Sequence, residues 1–165
     1  MSDNSKTSNG MAQDQQTSAS DTAISQPGAT MKILGQYVKD LSFENPNAPT
    51  SLTINNPEIS VAVNVGANPV NGPDYEVILK FTVNAAKDAK AVFACDLSYA
   101  GIFRLEGVPD NLLQAVLLVE GPRLLFPFAR QVLADATRDG GFPPVMLDPI
   151  DFSQLFHKRN ETEVS

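Results

Sequence analysis

The sequence contains one histidine, His157, and one cysteine, Cys95. A nucleophilic mechanism needs a thiol or hydroxyl beside a base. His157 opens the run His157-Lys158-Arg159 near the polar end of the chain and reads as a solvated surface residue. Cys95 falls on the apolar parity of a strand pattern and reads as a small packed hydrophobe. A single cysteine rules out an intrachain disulfide framework and a multi-cysteine metal site, and it suits a reducing compartment. The sequence has no phosphate-cradling glycine loop, no HExxH and no EF-hand loop. What remains is carboxylate acid–base work, with Asp40, Glu44 and Asp96 as candidates. All three occupy the polar parity of their strands. An open, wet sheet face supplies no desolvation to raise a carboxylate pKa, so they read as surface charge. No catalytic residue, no metal and no cofactor are expected.

The elements that carry these residues change period along the chain. Ile33, Tyr37, Leu41 and Phe43 share one parity, opposite Gln36, Asp40, Ser42 and Glu44. Ile59, Val61, Val63 and Val65 alternate with Ser60, Ala62 and Asn64. Tyr75, Val77, Leu79, Phe81 and Val83 alternate with Glu76, Lys80, Thr82 and Asn84. Phe93, Cys95, Leu97 and Tyr99 alternate with Ala94, Asp96 and Ser98. Four amphipathic strands with one wet face predict an antiparallel sheet. Pro46, Pro49 and Pro57 mark a long connection after the first strand. Asn71-Gly72-Pro73 marks a turn before the third, and residues 87–89 suit a hairpin before the fourth.

After Gly107 the period becomes helical. Asp110 is placed to cap a helix from Asn111, which Glu120-Gly121-Pro122 interrupts. A second helix runs to about Arg138, with Leu125, Phe128, Val132 and Ala136 on its apolar stripe and Leu124 alongside. Pro127 is expected to kink it, and Gly140-Gly141 to end it. Pro143-Pro144 opens an extended segment through Leu147, and Asp151 caps a short final helix with Leu155 and Phe156. Strands followed by helices predict an α+β fold: a four-stranded antiparallel sheet, one face covered by a long kinked helix and a short C-terminal helix.

Composition bounds the rest. The 165 residues suit one domain. Twelve Lys and Arg against nineteen Asp and Glu give a net charge of −7, which argues against nucleic acid and anionic lipid as partners. Residues 1–30 are polar, with Met1, Met11 and Ile24 as their only large apolar residues, and read as a disordered tail. They lack the basic start and apolar run of a secretory signal. No apolar run reaches the ~18 residues of a membrane span, so no direct membrane insertion is expected.

Four segments carry a family resemblance: KDLSFENPNAP at residues 39–49, CDLSYAGIFRLE at 95–106, GPRLLFPFAR at 121–130 and GFPPVMLDPIDFSQLF at 141–156. In this order and spacing the sequence resembles SecB, the bacterial protein-export chaperone family, over about residues 32–156. The resemblance implies one chaperone domain, residues 31–157, between the tail 1–30 and a polar C-terminal tail, 158–165. It implies a cytoplasmic homotetramer, a dimer of dimers, that uses neither ATP nor cofactor. Such a protein binds unfolded precursor proteins and passes them to the motor SecA.

Carried onto this sequence, the resemblance implies a client-binding groove between the final helix, the long proline-containing loop and the second strand. Its residues are Phe43, Ile59, Val61, Val63, Phe142, Leu147, Phe152, Leu155 and Phe156. It implies a SecA-docking face of Asp40, Glu44, Ala94 and Asp96, where carboxylates meet a basic, zinc-bearing tail. It implies that Cys95, Leu97 and Tyr99 support the joining of dimers. The proline-containing loop has no tryptophan around residues 52–56, where some members carry one. Two rival readings are a SecB-like chaperone dedicated to another partner, and an apolar small-ligand carrier with a closed cavity. An enzyme is a third.

Overall fold

The computed structural model describes residues 27–163. The reading of residues 1–30 as a disordered tail falls, for residues 1–26, outside the described residues; Thr30 already belongs to the sheet. Four strands form that sheet: β1, Thr30–Glu44; β2, Glu58–Asn71; β3, Asp74–Lys87; and β4, Lys90–Glu106. Every pairing is antiparallel and the spatial order is β1-β4-β3-β2, so among the described residues β1 and β2 are the edge strands.

The hairpin turns follow the expected chemistry. Between β2 and β3 the two loop residues are Gly72, at φ +58°, and Pro73. Between β3 and β4 they are Asp88 and Ala89, both at positive φ, so a left-handed pair closes the hairpin without the favoured Asn-Gly.

One face of the sheet is the core. Val77, Leu79, Phe81, Val83 and Ala85 of β3 are buried beside Phe93, Cys95, Leu97, Tyr99 and Phe103 of β4. The register of β1 departs from simple alternation. Leu34 and Lys39 are skipped in the pairing with β4, so the strand changes face twice. Ile33, Leu41 and Phe43 pair opposite Phe103, Leu97 and Cys95 and take the core side, whereas Tyr37 pairs opposite Ala100 and takes the other. The shared parity expected for Tyr37 is thereby corrected. A period-two pattern survives only where no bulge intervenes.

Helix α1, Asp110–Asp139, is a single helix of 30 residues, not two. Pro122 has no N–H to give to the carbonyl four residues back. The backbone absorbs this in a π-turn at Val116–Glu120, where the Gly121 N–H reaches Val116 O, and the helix continues. Asp110 is the first helical residue and makes no side-chain cap bond; Pro109 holds the cap position. The buried stripe is Leu125, Phe126, Ala129, Leu133 and Thr137. It lies rotated from the expected one, leaving Leu124 and Phe128 exposed, Phe128 at 48%. The uninterrupted helix is also long and apolar enough by composition to cross a membrane, with a window of mean hydropathy 1.4, but half of that window is buried inside the fold.

Gly140 and Gly141 end the helix as expected. The Gly141 N–H bonds to Arg138 O and the Phe142 N–H to Thr137 O, with Gly141 at φ +92°. A Cβ on Gly140 would sit 2.2 Å from the Phe43 ring, so the helix end packs onto β1 only because the residue is glycine. Helix α2, Phe152–Glu163, follows an extended segment. Asp151 caps it, its Oδ1 accepting the Gln154 N–H at 3.0 Å. The helix runs on through Lys158 and Arg159 to Glu163, so most of the expected polar tail is helical.

Candidate functional site

β2 is an edge strand whose apolar row points to the core side, but α1 covers only its middle. Val65 is buried, Val63 half-buried, and Ile59 and Val61 are 48% and 40% exposed. Two open hollows lie along this row. The first, about 520 Å³, has Ile59, Val61 and Val63 on one side and residues 143–148 with Ile150 on the other. The second, about 310 Å³, is lined by Val63, Asn64 and Val65, by Leu118 of α1, and by Leu155, Phe156, Lys158, Arg159 and Thr162 of α2. Val63 belongs to both, so they form one trough.

The expected groove residues divide between lining and support. Ile59, Val61, Val63, Leu147, Leu155 and Phe156 line the trough. Phe152 is fully buried and meets Phe126 edge-on at 6.1 Å, anchoring α2 to α1. Phe43 and Phe142 pack with Phe93, Phe93 and Phe142 having centroids 4.8 Å apart and Phe43 and Phe93 5.6 Å. These three rings support the wall and do not line it. The proline-containing loop lines neither hollow; the wall opposite β2 is the segment 143–150.

That wall was readable in its alternation. Val145 and Leu147 are buried while Met146, between them, is 59% exposed. The residue that holds it was not readable. Thr137, fully buried near the end of α1, accepts the Val145 N–H at 2.9 Å and gives its own proton to the Leu133 or Ala134 carbonyl, each at 3.0 Å. The proline-containing loop has its own staples: Asn47 Nδ2 donates to Ala91 O, and the buried Ser51 hydroxyl donates to Asn45 Oδ1.

The opposite face of the sheet carries its charged residues around a small apolar patch of Ile78 and Ala100. Asp40 pairs opposite Ser98, Ser42 opposite Asp96 and Glu44 opposite Ala94, so the four expected acidic-face residues share one face. Asp40, Glu44 and Asp96 are exposed, and Asp96 accepts a hydrogen bond from Thr82 at 2.8 Å. Farther along this face Glu76 takes hydrogen bonds from Tyr37 and Lys39, and Arg104 grips Asp74 through two bonds. The Lys39 and Tyr37 bonds hold the Glu76 carboxyl below its ordinary range, and partial burial with the Glu76 bond pushes Tyr37 up to about 12.

Cys95, Leu97 and Tyr99 lie in the core under α1 and expose almost no surface in the single chain. Burial, with the neighbouring Asp96 charge, pushes the Cys95 thiol up, away from the reactive thiolate. Exposed apolar surface lies elsewhere: Ile33, Leu34, Val38 and Leu41 on edge strand β1, and Leu112, Leu124 and Phe128 on α1. Among the described residues no cluster of His, Cys, Asp and Glu could hold a metal ion.

A family model described as SecB, preprotein translocase subunit SecB, matches residues 24–163. The chain belongs to the SecB family. Two protein-export proteins SecB stand among its relatives. That of Afipia carboxidovorans is 51% identical over 144 residues, covering 86% of this chain and 88% of the relative. That of Parvibaculum lavamentivorans is 53% identical over 133 residues, covering 79% of each. The fold also resembles the SecB-like chaperone of Mycobacterium tuberculosis, solved in complex with a ChAD peptide from an antitoxin. That likeness has a TM-score of 0.61 at 16% identity and covers 73% of this chain and 90% of that one. As a member of this family the chain is an export chaperone and not an enzyme.

Proposed function

We propose that this SecB chain holds unfolded precursor proteins along the β2 trough, keeps them competent for export and delivers them to SecA. The observation that carries the reading is the uncovered apolar row of Ile59 and Val61, facing Met146 across an open hollow. A contiguous wet apolar surface has a partner. The first hollow is lined by apolar residues apart from Asp148, so it makes few demands on client sequence. Neither hollow of the trough is enclosed, which disfavours the small-ligand carrier.

Delivery is assigned to Asp40, Glu44 and Asp96, with Ala94 between them, which gather negative charge on one exposed face for a basic tail of SecA. Self-association into a cytoplasmic homotetramer fits the apolar residues of edge β1 and the outer side of α1. Cys95, Leu97 and Tyr99 act from beneath, by fixing how α1 sits. Native mass spectrometry with a precursor held unfolded tests the proposal. The expected species contains four chains of 17.7 kDa, about 71 kDa in all, and binds the unfolded precursor but not its folded form. A monomer indifferent to unfolded chains overturns it.

A further inference from the structure

The chain has four methionines and one cysteine, the side chains that a mild oxidant attacks first. Met1 and Met11 lie outside the described residues. Met31 is half-buried and packs against the core. Cys95 is 1% exposed and burial pushes its thiol up, so it offers neither access nor thiolate. Met146 differs from Met31 and Cys95. It is 59% exposed between the buried Val145 and Leu147, so its thioether stands out from the wall of the first hollow, across from Ile59 and Val61. Its place is fixed from both sides. Pro143, Pro144 and Pro149 restrict the backbone around it, and the Thr137 hydroxyl holds the Val145 N–H at 2.9 Å.

We infer that Met146 is a reversible oxidation site through which peroxides weaken client binding. The inference rests on the reading of the trough as the client site. In the step, the Met146 sulfur gives an electron pair to a peroxide oxygen. An S–O bond forms, the O–O bond breaks, and the second oxygen of hydrogen peroxide leaves as water. The thioether is oxidised to the sulfoxide and the peroxide is reduced. The reverse step takes two thiols of a methionine sulfoxide reductase, which end joined as a disulfide while the oxygen departs as water. The sulfoxide turns an apolar side chain into a strong hydrogen-bond acceptor. Among the residues lining the first hollow the one polar side chain is Asp148, a carboxylate with no hydrogen to give. Water satisfies the new oxygen while the hollow is open. A client side chain that displaces this water buries the S–O dipole against Ile59 and Val61 without a donor. Peroxide thus loosens the hold on a client and a reductase restores it, with the fold unchanged.

The test treats the full chain with dilute hydrogen peroxide, removes the peroxide, and titrates the protein against α-lactalbumin that has been reduced and carboxymethylated so that it stays unfolded. Peptide mass spectrometry locates each added oxygen. In the unaltered protein Met146 is expected to take up oxygen before Met31, and affinity to fall about five- to tenfold. Incubation with the two stereospecific methionine sulfoxide reductases and a dithiol should return it. Met146→Leu removes the sulfur at an exposed position, and its affinities before and after treatment should agree with each other within about twofold. Met146→Gln puts a polar group at the same place and should bind as weakly as the oxidised protein without any peroxide. Oxygen on Met31 ahead of Met146, complete oxidation of Met146 with unaltered affinity, or an equal loss in peroxide-treated Met146→Leu each overturns the inference. An unaltered, untreated protein that does not bind the unfolded chain instead brings down the trough as a client site, and the inference with it.

Discussion

Tyr37 of β1 donates its hydroxyl hydrogen to Glu76 of β3 at 2.5 Å, reaching across β4, which separates their strands. The contact exists because β1 bulges at Leu34 and Lys39. Between the bulges Tyr37 faces the polar side of the sheet; on either side of them Ile33 and Leu41 face the core. Lys39, itself at a bulge, completes the cluster with a 2.8 Å bond to the same carboxylate.

The cluster makes stability depend on pH in a stated direction. The Lys39 and Tyr37 bonds hold the Glu76 carboxyl of the folded chain below its ordinary value of 4.5. As pH falls through the range below 4.5, the unfolded chain takes up the proton first and stability is lost. Tyr37, raised from 10.0 to about 12, acts at the other end: its contribution is intact below pH 10 and is lost as pH rises toward about 12. Urea unfolding midpoints of Glu76→Gln should fall less steeply than those of the unaltered protein between pH 5 and 3. Tyr37→Phe should flatten the loss above pH 10.

Strands β2, β3 and β4 were legible because each alternates without a bulge over most of its core-facing stretch, Ile59 to Ala67 in β2, Val77 to Ala85 in β3 and Phe93 to Tyr99 in β4. β1 was not, because a bulge leaves no mark on residue type: Leu34 and Lys39 look like any apolar and any charged residue. The break read at Glu120-Gly121-Pro122 was the right place for an irregularity but the wrong kind. A helix tightly packed on a sheet tolerates a missing donor by widening one turn. Of the site, the apolar row of β2 and the acidic triad were legible from parity. Thr137 and Arg159 were not, since their work is done on Val145 N–H and Val65 O, backbone atoms of segments remote in sequence.

The acidic face should act through charge and not through the client. Replacing Asp40, Glu44 and Asp96 together by Asn, Gln and Asn should weaken binding of the basic SecA tail at least about tenfold at low ionic strength. The difference should shrink as salt rises toward about 0.3 M, where screening lengths fall below 8 Å. Calorimetric titration across a salt series reads both effects. Affinity for an unfolded client should stay the same, because the trough lies at the other edge of the sheet and on its other face.

The β3–β4 hairpin stores strain that a single change relieves. Ala89 sits at φ +61°, where a Cβ is unfavourable and glycine is not. Ala89→Gly should stabilise the fold by about 0.5–1 kcal/mol, seen as a higher thermal midpoint with client binding unchanged.

Two residues of the expected groove should separate cleanly when altered. Ile59 is half exposed at the trough, so Ile59→Asp should cost about tenfold or more in affinity for an unfolded client, with stability shifting by less than about 0.5 kcal/mol. Phe152 is fully buried against Phe126, so Phe152→Ala should destabilise by about 3–5 kcal/mol. Equal effects of the two on stability would contradict the division into lining and support.

Thr137 links the long helix to the wall of the trough through one hydroxyl. Its oxygen accepts from Val145, and its hydrogen satisfies a carbonyl of the helix's last turns, so both partners are served inside the core. Thr137→Val keeps the shape and removes the acceptor. The Val145 N–H is then buried without a partner, which costs about 1–3 kcal/mol. Chain opening at residues 143–147 is the cheapest escape, because that amide can then find water. Hydrogen exchange at Val145 should accelerate well beyond exchange in the β3 and β4 core, and client affinity should fall with it. Thr137→Ser restores the acceptor and should return both readouts toward the original, losing only the packing of one methyl group. Uniform acceleration across the sheet would mean that Thr137 serves global stability alone and does not set the position of the wall.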